Sequence, residues 1–147
     1  MYSKKLLSLL IILFSTFISI SQDLIITGVY DGDLSGGTPK GVELYASSYI
    51  ADLSDYGLSS ANNGGGATGS PEFDFPSVSV NAGTYIYVAS ESTQFNNWFG
   101  FSPDYTDGSM GINGDDAVEL FYNGAVADVY GDVDTDGSGE AWEYTDG

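Results

Sequence analysis

The sequence predicts an all-β domain, a sandwich or barrel built from short strands. Its apolar runs are brief and are separated by Gly, Asn, Asp or Pro, in a chain of 147 residues that contains 20 glycines. No long stretch repeats apolar residues with the 3.6-residue period of a helix. Asn123-Gly124, a strong two-residue turn signal, lies between two alternating runs. Together these patterns are typical of strands joined by tight turns.

The first 21 residues are predicted to be a secretory signal peptide. Lys4 and Lys5 precede an apolar stretch, and the small residues Ser19 and Ser21 place cleavage before Gln22. A transmembrane anchor is the rival interpretation, but the stretch ends at Ile20 and is interrupted by Ser and Thr, whereas a span needs about 20 predominantly apolar residues. We therefore expect one domain over residues 22–147 that is secreted, extracellular or at the cell surface, and not held in the membrane after cleavage.

In the first half of this domain, the sequence pattern predicts three strands. Residues 23–30 form the first, residues 31–39 form a loop, and residues 41–46 form the second. In the second strand, alternation places Val42 and Leu44 on one face and Glu43 and Tyr45 on the other. Residues 53–61 are predicted to contain a short strand, and the Gly-rich residues 62–70 are predicted to form a flexible loop.

In the middle of the domain, the sequence pattern predicts an irregular strand, a regular strand and a helical turn. Residues 72–80 contain Pro76, which places the strand at an edge or makes it irregular. Residues 84–89 are β-branched and aromatic and give the clearest strand. Residues 92–99 fit one helical turn with Ser92 as its cap.

Residues 116–130 predict a hairpin around Asn123-Gly124. A two-residue turn pairs Tyr122 with Ala125 and continues so that Glu119 faces Asp128. Two carboxylates facing each other repel, so they are either solvated on an exposed face or share a cation. The same register places an apolar set on the core side: Val118, Leu120, Ala127 and Val129.

Charge and missing residue types exclude several classes of function. From residue 22 onward the chain has one cation, Lys40, against 21 acids, a side-chain charge of −20, and it contains no His, Cys or Arg. These absences exclude disulfides, zinc-thiolate sites, Ser-His-Asp triads and bidentate arginine clamps. Direct nucleic-acid binding is not expected, because it depends on Lys and Arg. Carboxylate chemistry, hard-metal binding and recognition remain.

Residues 132–143 match the twelve-residue calcium-loop pattern D-x-D-x-D-G-x5-E. Alternate carboxylates in a tight loop point inward, and calcium takes six to eight oxygen ligands. A strand rather than a helix precedes the loop, so a true EF-hand is rejected. A calcium loop between strands and a soluble Asp/Gly turn remain as alternatives. The candidate ligands are Asp132, Asp134, Asp136, Glu140 and Glu143.

Catalysis and sugar binding have weaker signals. Glu43 and Glu119 are candidates for a carboxylate pair of the kind that hydrolyses glycosides, but no pattern places them together. Several aromatic residues are candidates for stacking on sugar rings, with ordinary core packing as the alternative. These residues are Tyr85, Tyr87, Trp98, Phe99 and Tyr105.

An ordered series of segments resembles a known family. The segments are residues 23–27 (DLIIT), 41–45 (GVELY), 52–58 (DLSDYGL), 82–89 (AGTYIYVA), 113–124 (NGDDAVELFYNG) and 129–132 (VYGD). Over about residues 23–147 the series is similar to the lamin tail domain family in its bacterial secreted branch. The Gly-Asp-Asp-Ala-Val-Glu-Leu segment is the best marker.

The resemblance implies an immunoglobulin-like β-sandwich and a non-catalytic accessory role. Such domains accompany nucleases, phosphatases and other hydrolases on exported bacterial proteins, and the family has no agreed catalytic residues. The sequence does not identify the ligand: a cell surface, a polysaccharide and a protein all remain as alternatives. In the family a further strand follows the Trp-Glu-Tyr-x-Asp-Gly stretch, so the domain is expected to be incomplete at Gly147. The alternative is the amino-terminal accessory part of a larger extracellular hydrolase whose active site lies beyond Gly147.

Overall fold

Two four-stranded β-sheets pack face to face and carry one short helix. The computed structural model describes residues 22–140 and residue 142, so the predicted signal peptide (1–21) lies outside the described residues. In chain order the elements are β1 (Leu24–Leu34), β2 (Thr38–Ala46), β3 (Tyr56–Ala61), β4 (Phe73–Asp74), β5 (Tyr85–Ala89), α1 (Thr93–Phe99), β6 (Tyr105–Thr106), β7 (Ala117–Tyr122) and β8 (Ala125–Tyr130). The first sheet has the order β1-β2-β5-β6, and the second has the order β4-β3-β7-β8.

The core lies between the inner faces of the two sheets. Val42 and Leu44 of β2 are fully buried, as their alternation predicts, and so are Val118 and Leu120 of β7. Burying a Val or Leu side chain contributes about 1.5–3 kcal/mol. Each sheet therefore depends on the other to cover its apolar face. No helix among the described residues is long and apolar enough to cross a membrane.

The predicted loop over residues 31–39 is largely strand. β1 extends to Leu34 and β2 begins at Thr38, so the two strands form a long hairpin. Gly36 and Gly37 both have positive φ, at 92° and 66°. Glycine adopts this conformation without a steric penalty, which allows a tighter turn than the polar composition suggests.

The Asn123-Gly124 hairpin is confirmed, but its register was predicted correctly only near the turn. Both turn residues have positive φ, and Tyr122 pairs with Ala125 as expected. A bulge then shifts the pairing, so that Leu120 faces Asp128 and Glu119 faces Val129. An extra residue on one strand turns every later side chain to the other face. Val129 is accordingly exposed rather than on the core side.

The bulge also separates the two carboxylates that were expected to face each other. The Asp128 carboxylate accepts a hydrogen bond from the Ile26 backbone N–H of β1, at 2.9 Å, and so connects the edges of the two sheets. Glu119 lies instead beneath the loop that follows β3. The prediction that they face each other, whether solvated or sharing a cation, is wrong.

Helix α1 begins at the predicted position with a different cap. Ser92 occupies the cap position but makes no side-chain capping bond. The Glu91 carboxylate accepts from the backbone N–H groups of Gln94 (2.9 Å) and Phe95 (3.2 Å) instead. These are groups that a helix start leaves unpaired. The short strand β4 lies at a sheet edge, as Pro76 predicts.

Candidate functional site

The predicted calcium loop follows β8 and is only partly described. Asp132 accepts from the Asp134 N–H (3.0 Å) and from the Thr135 hydroxyl (2.8 Å), and these bonds lower the pKa of its carboxyl group. Asp136 accepts from the Ser138 N–H at 2.8 Å. Asp side chains commonly form such turns with their own backbone. Four candidate ligands, Asp132, Asp134, Asp136 and Glu140, lie in the described part, and Glu143 lies outside it.

The loop folds back against the start of β7. The Gly139 N–H donates to the Asp115 carboxylate at 2.6 Å, and Gly137 lies so close to Asp115 that a β-carbon there would meet its side chain. Within residues 22–140 and 142, no group of three or more acidic, His or Cys side chains is arranged to hold a metal ion. Because Glu143 would close the shell, the calcium site stays a prediction.

Glu43 and Glu119 do not form a carboxylate pair. Glu43 alternates with Val42 and Leu44, so it points outward from the first sheet, and Glu119 points outward from the second sheet. The whole core lies between them, and packed sheets are about 10 Å apart. They are thus on opposite sides of the sandwich and cannot act on one glycosidic bond.

The outer face of the first sheet presents a set of tyrosines around one carboxylate. Register pairs Tyr45 with Tyr85 and Glu43 with Tyr87, so these four side chains, here called the tyrosine face, lie side by side on β2 and β5. The rings of Tyr45 and Tyr85 are 5.0 Å apart between centroids. Tyr85 is 51% exposed, and large apolar rings that remain open to solvent often mark a contact surface.

The carboxylate of this face and the one beside it, Asp104, already have hydrogen-bond partners. The Glu43 carboxylate accepts from the Thr27 hydroxyl at 2.9 Å and from the Tyr87 hydroxyl. Burial, followed by this bond to Glu43, raises the pKa of Tyr87 to about 12. Asp104 accepts from the Tyr87 backbone N–H at 2.8 Å. The tyrosine face therefore offers rings and hydroxyl groups to solvent more than free charge.

An aromatic cluster under α1 closes one end of the tyrosine face. Phe95 is fully buried, and its ring lies 5.7 Å from that of Tyr30 and 5.9 Å from that of Tyr87. Phe99 and Phe101 pack around it with partly exposed edges. The helix thus covers the outer surface of the sheet at this end and leaves it open at Tyr45 and Tyr85.

The five aromatic candidates from the sequence have different positions. Tyr85 and Tyr87 lie on the tyrosine face, and Phe99 belongs to the neighbouring cluster. Trp98 is 52% exposed on α1. Tyr105 packs against Phe73 and Phe75 at the core, so it is a core-packing residue rather than part of an exposed sugar-binding surface.

Sequence reasoning did not select Tyr45 as part of a binding surface. Its alternation with Leu44 was visible, but the pairing of β2 with β5 was not. Residues 45 and 85 are neighbours only because a chain of forty residues returns to the same sheet.

A polar cavity of about 590 Å³ opens near the start of β7. Beside it, the Lys40 ammonium group donates to the Asn113 amide oxygen at 2.7 Å and lies 3.1 Å from the Asp31 carboxylate. Lys40 is the only cation after residue 5. The cavity is lined by Val29, Asp31, Asn63, Asn113, Gly114, Asp115, Tyr130 and Gly139.

Comparison with family models, characterised proteins and solved structures found no match to this chain. The fold and the geometry of these surfaces are therefore the basis for any functional statement.

Proposed function

We propose that this chain is a secreted, non-catalytic module that binds a neutral polysaccharide through its tyrosine face. We further propose that its sandwich is of the immunoglobulin-like, lamin-tail type. The ordered sequence segments support that assignment, and so does the packing of two four-stranded sheets.

One observation carries the binding proposal: the open Tyr45–Tyr85 ring pair beside a carboxylate that is already hydrogen-bonded. The apolar faces of sugar rings stack on aromatic rings, and their hydroxyl groups bond to nearby oxygen atoms. A basic peptide would instead seek unpaired carboxylates, and Glu43 is engaged by Thr27 and Tyr87. An anionic polymer is disfavoured, since the domain carries a side-chain charge of −20. A neutral glycan fits best.

Replacing Tyr85 by alanine should weaken polysaccharide binding about tenfold, equivalent to about 1.4 kcal/mol, because truncating an aromatic anchor at a contact centre typically costs more than 1 kcal/mol. The exported protein would be run in native gels that contain neutral glucans, xylan or mannan, with an anionic polygalacturonate as comparison. The wild-type protein should migrate more slowly in a gel that contains a neutral glycan, and Tyr85→Ala should be retarded much less.

Tyr122→Ala is the matched control for this experiment. Tyr122 is also a partly exposed tyrosine in a ring pair, 4.8 Å from Tyr56, but it belongs to the second sheet. Its loss should leave migration unchanged. The proposal fails if no neutral glycan retards the protein, or if Tyr85→Ala and Tyr122→Ala behave alike. Binding to a basic peptide in place of a glycan would also contradict it.

We also propose that calcium binds the loop at Asp132–Glu143 and stabilises the domain. A cation that binds only the folded state raises the free energy of unfolding by about 2.7 kcal/mol when its free concentration is 100 times its Kd. The melting temperature should therefore fall when EGTA removes calcium. Asp74→Ala, which alters an exposed acid on β4, should keep the full EGTA response, whereas Asp134→Ala should lose it. An unchanged midpoint between millimolar calcium and EGTA would exclude the site.

A further inference from the structure

We propose that Lys40 and Asn113 form an intramolecular amide cross-link, with Asp31 as the proton carrier. The inference is independent of the polysaccharide proposal. It starts from one contact: the Lys40 Nζ lies 2.7 Å from Oδ1 of Asn113, which is one bond away from the amide carbon Cγ. Reactions between groups held this close need little further ordering of the reactants.

Asp31 contacts Lys40 and the residue that follows Asn113. One of its oxygens lies 3.1 Å from the Lys40 Nζ, and the other accepts from the backbone N–H of Gly114, the residue after Asn113, at 2.9 Å. A lysine attacks a carbonyl only as the neutral amine, and the Asp31 carboxylate is in position to take its proton. The Lys40 side chain is 15% exposed and that of Asp31 is 30% exposed, and Asp31 and Asn113 line the polar cavity, so the released ammonia has an open path to solvent.

Asn113 is held in place by a buried acid. The Asp116 carboxylate accepts from the Asn113 N–H at 2.8 Å, and the Asp116 N–H donates to the Asn113 carbonyl at 3.0 Å. Asp116 is 2% exposed. On the other side, Lys40 belongs to β2, an inner strand of the first sheet. Lys40 is thus held in a strand, and the backbone of Asn113, in the loop before β7, is held by its two bonds to Asp116.

The reaction is balanced without an oxidant or another reactant. The Lys40 Nζ passes a proton to Asp31 and attacks Cγ of Asn113, so an Nζ–Cγ bond forms and the Cγ–Nδ2 bond breaks. The departing nitrogen takes one hydrogen from Nζ and leaves as ammonia. Asp31 then gives its proton to the ammonia, which departs as ammonium. The product is one amide bond between residues 73 positions apart.

Such a bond would link the two sheets covalently, because Lys40 lies on β2 and Asn113 lies four residues before the start of β7. An exported protein without cysteine cannot use disulfides for this purpose. A cross-link restricts the unfolded chain in the same way as a disulfide.

Trypsin provides a direct test, since the bond after Lys40 is the only one it can cut beyond Lys5. The purified exported protein, denatured by heat, should resist trypsin, and its intact mass should be lower by one ammonia. A Lys40→Arg variant should show the full mass and be cut into two fragments. Asp31→Asn should leave most molecules unlinked, as judged by the same two readouts.

Succinimide formation at an Asn-Gly bond also loses one ammonia, so mass alone does not decide. A peptide that contains both Lys40 and Asn113 after digestion with a protease specific for acidic residues would establish the link. Wild-type protein with the full mass, or protein that loses ammonia yet is cut by trypsin into two fragments, would overturn the proposal. Because these measurements use the wild-type chain, they do not depend on whether any variant folds.

Discussion

Replacing Gly41 by alanine should destabilise the domain by about 3 kcal/mol or more, at the upper end of the effects of overpacking. Gly41 lies in β2, directly opposite Ala89 of β5. A β-carbon at Gly41 would collide with the carbonyl oxygen of Val88 and with the hydroxyl group of Tyr30, and would lie 2.8 Å from the Ala89 Cα. Two of these three groups are backbone of the adjacent strand and cannot move without breaking the sheet.

The glycine also makes room for the aromatic cluster. The Tyr30 ring lies over this position and donates its hydroxyl group to the Val88 carbonyl oxygen at 3.0 Å, while its ring packs on Phe95 and Phe99. Displacing Tyr30 would therefore disturb α1 as well as the ladder between β2 and β5. A domain with a total stability of about 5–15 kcal/mol loses much of it through such a change.

Urea denaturation of Gly41→Ala and Gly108→Ala provides the measurement. Gly108 has no atom within 4 Å of a β-carbon built on it, so its substitution should change the free energy of unfolding by no more than about 0.5 kcal/mol. The double variant Gly41→Ala with Tyr30→Phe removes the clash with the hydroxyl group but keeps the clash with the Val88 backbone. The free energy of unfolding of this double variant should therefore stay well below that of the wild type. Near-normal stability of Gly41→Ala would show that β2 and β5 can separate at low cost.

The parts of the fold that the sequence predicts depend on local patterns. Alternation alone places Val42 and Leu44 in the core, and Asn123-Gly124 alone fixes the end of the last hairpin. The bulge between β7 and β8 has no such local signal. Beside it lies a distant contact, the hydrogen bond from Ile26 to Asp128, which joins residues 102 positions apart.

The candidate sites follow the same division. The positions of Glu43 and Tyr45 on one face were predictable, but their neighbours Tyr87 and Tyr85 come from another strand. Lys40 stood out as the only cation after Lys5, yet its contact with Asp31 depends on the register of β1 and β2, and its contact with Asn113 on how β2 meets the segment before β7. Long-range pairing is set by the packing of the whole core, which a local pattern does not encode.

Glu119 shows how such packing reverses a local expectation. Outward-facing acids on a strand are usually solvated, but this residue is 1% exposed because the loop after β3 covers it. Its carboxylate accepts from the backbone N–H of Thr68 at 2.8 Å and from the Thr68 hydroxyl at 2.9 Å, with the Ser59 hydroxyl at 3.5 Å. Hydrogen bonds rather than an ion pair therefore hold it, and they fasten the loop to β7.

Glu119→Ala should lower the free energy of unfolding by about 2–3 kcal/mol, because it leaves the Thr68 N–H without its acceptor and opens a cavity beneath the loop. Glu119→Gln should lose less, since its amide oxygen can take the place of Oε2, the single carboxylate oxygen that accepts all three of these bonds. Urea denaturation gives the stabilities, and hydrogen exchange at Thr68 reports whether the loop has been released. Asp74→Ala, at an exposed acid on β4 of the same sheet, is the control and should be near neutral. If Glu119→Ala matched Asp74→Ala in stability and left exchange at Thr68 unchanged, the carboxylate would not be what holds this loop, and the outer face of β7 would be covered by apolar contacts alone.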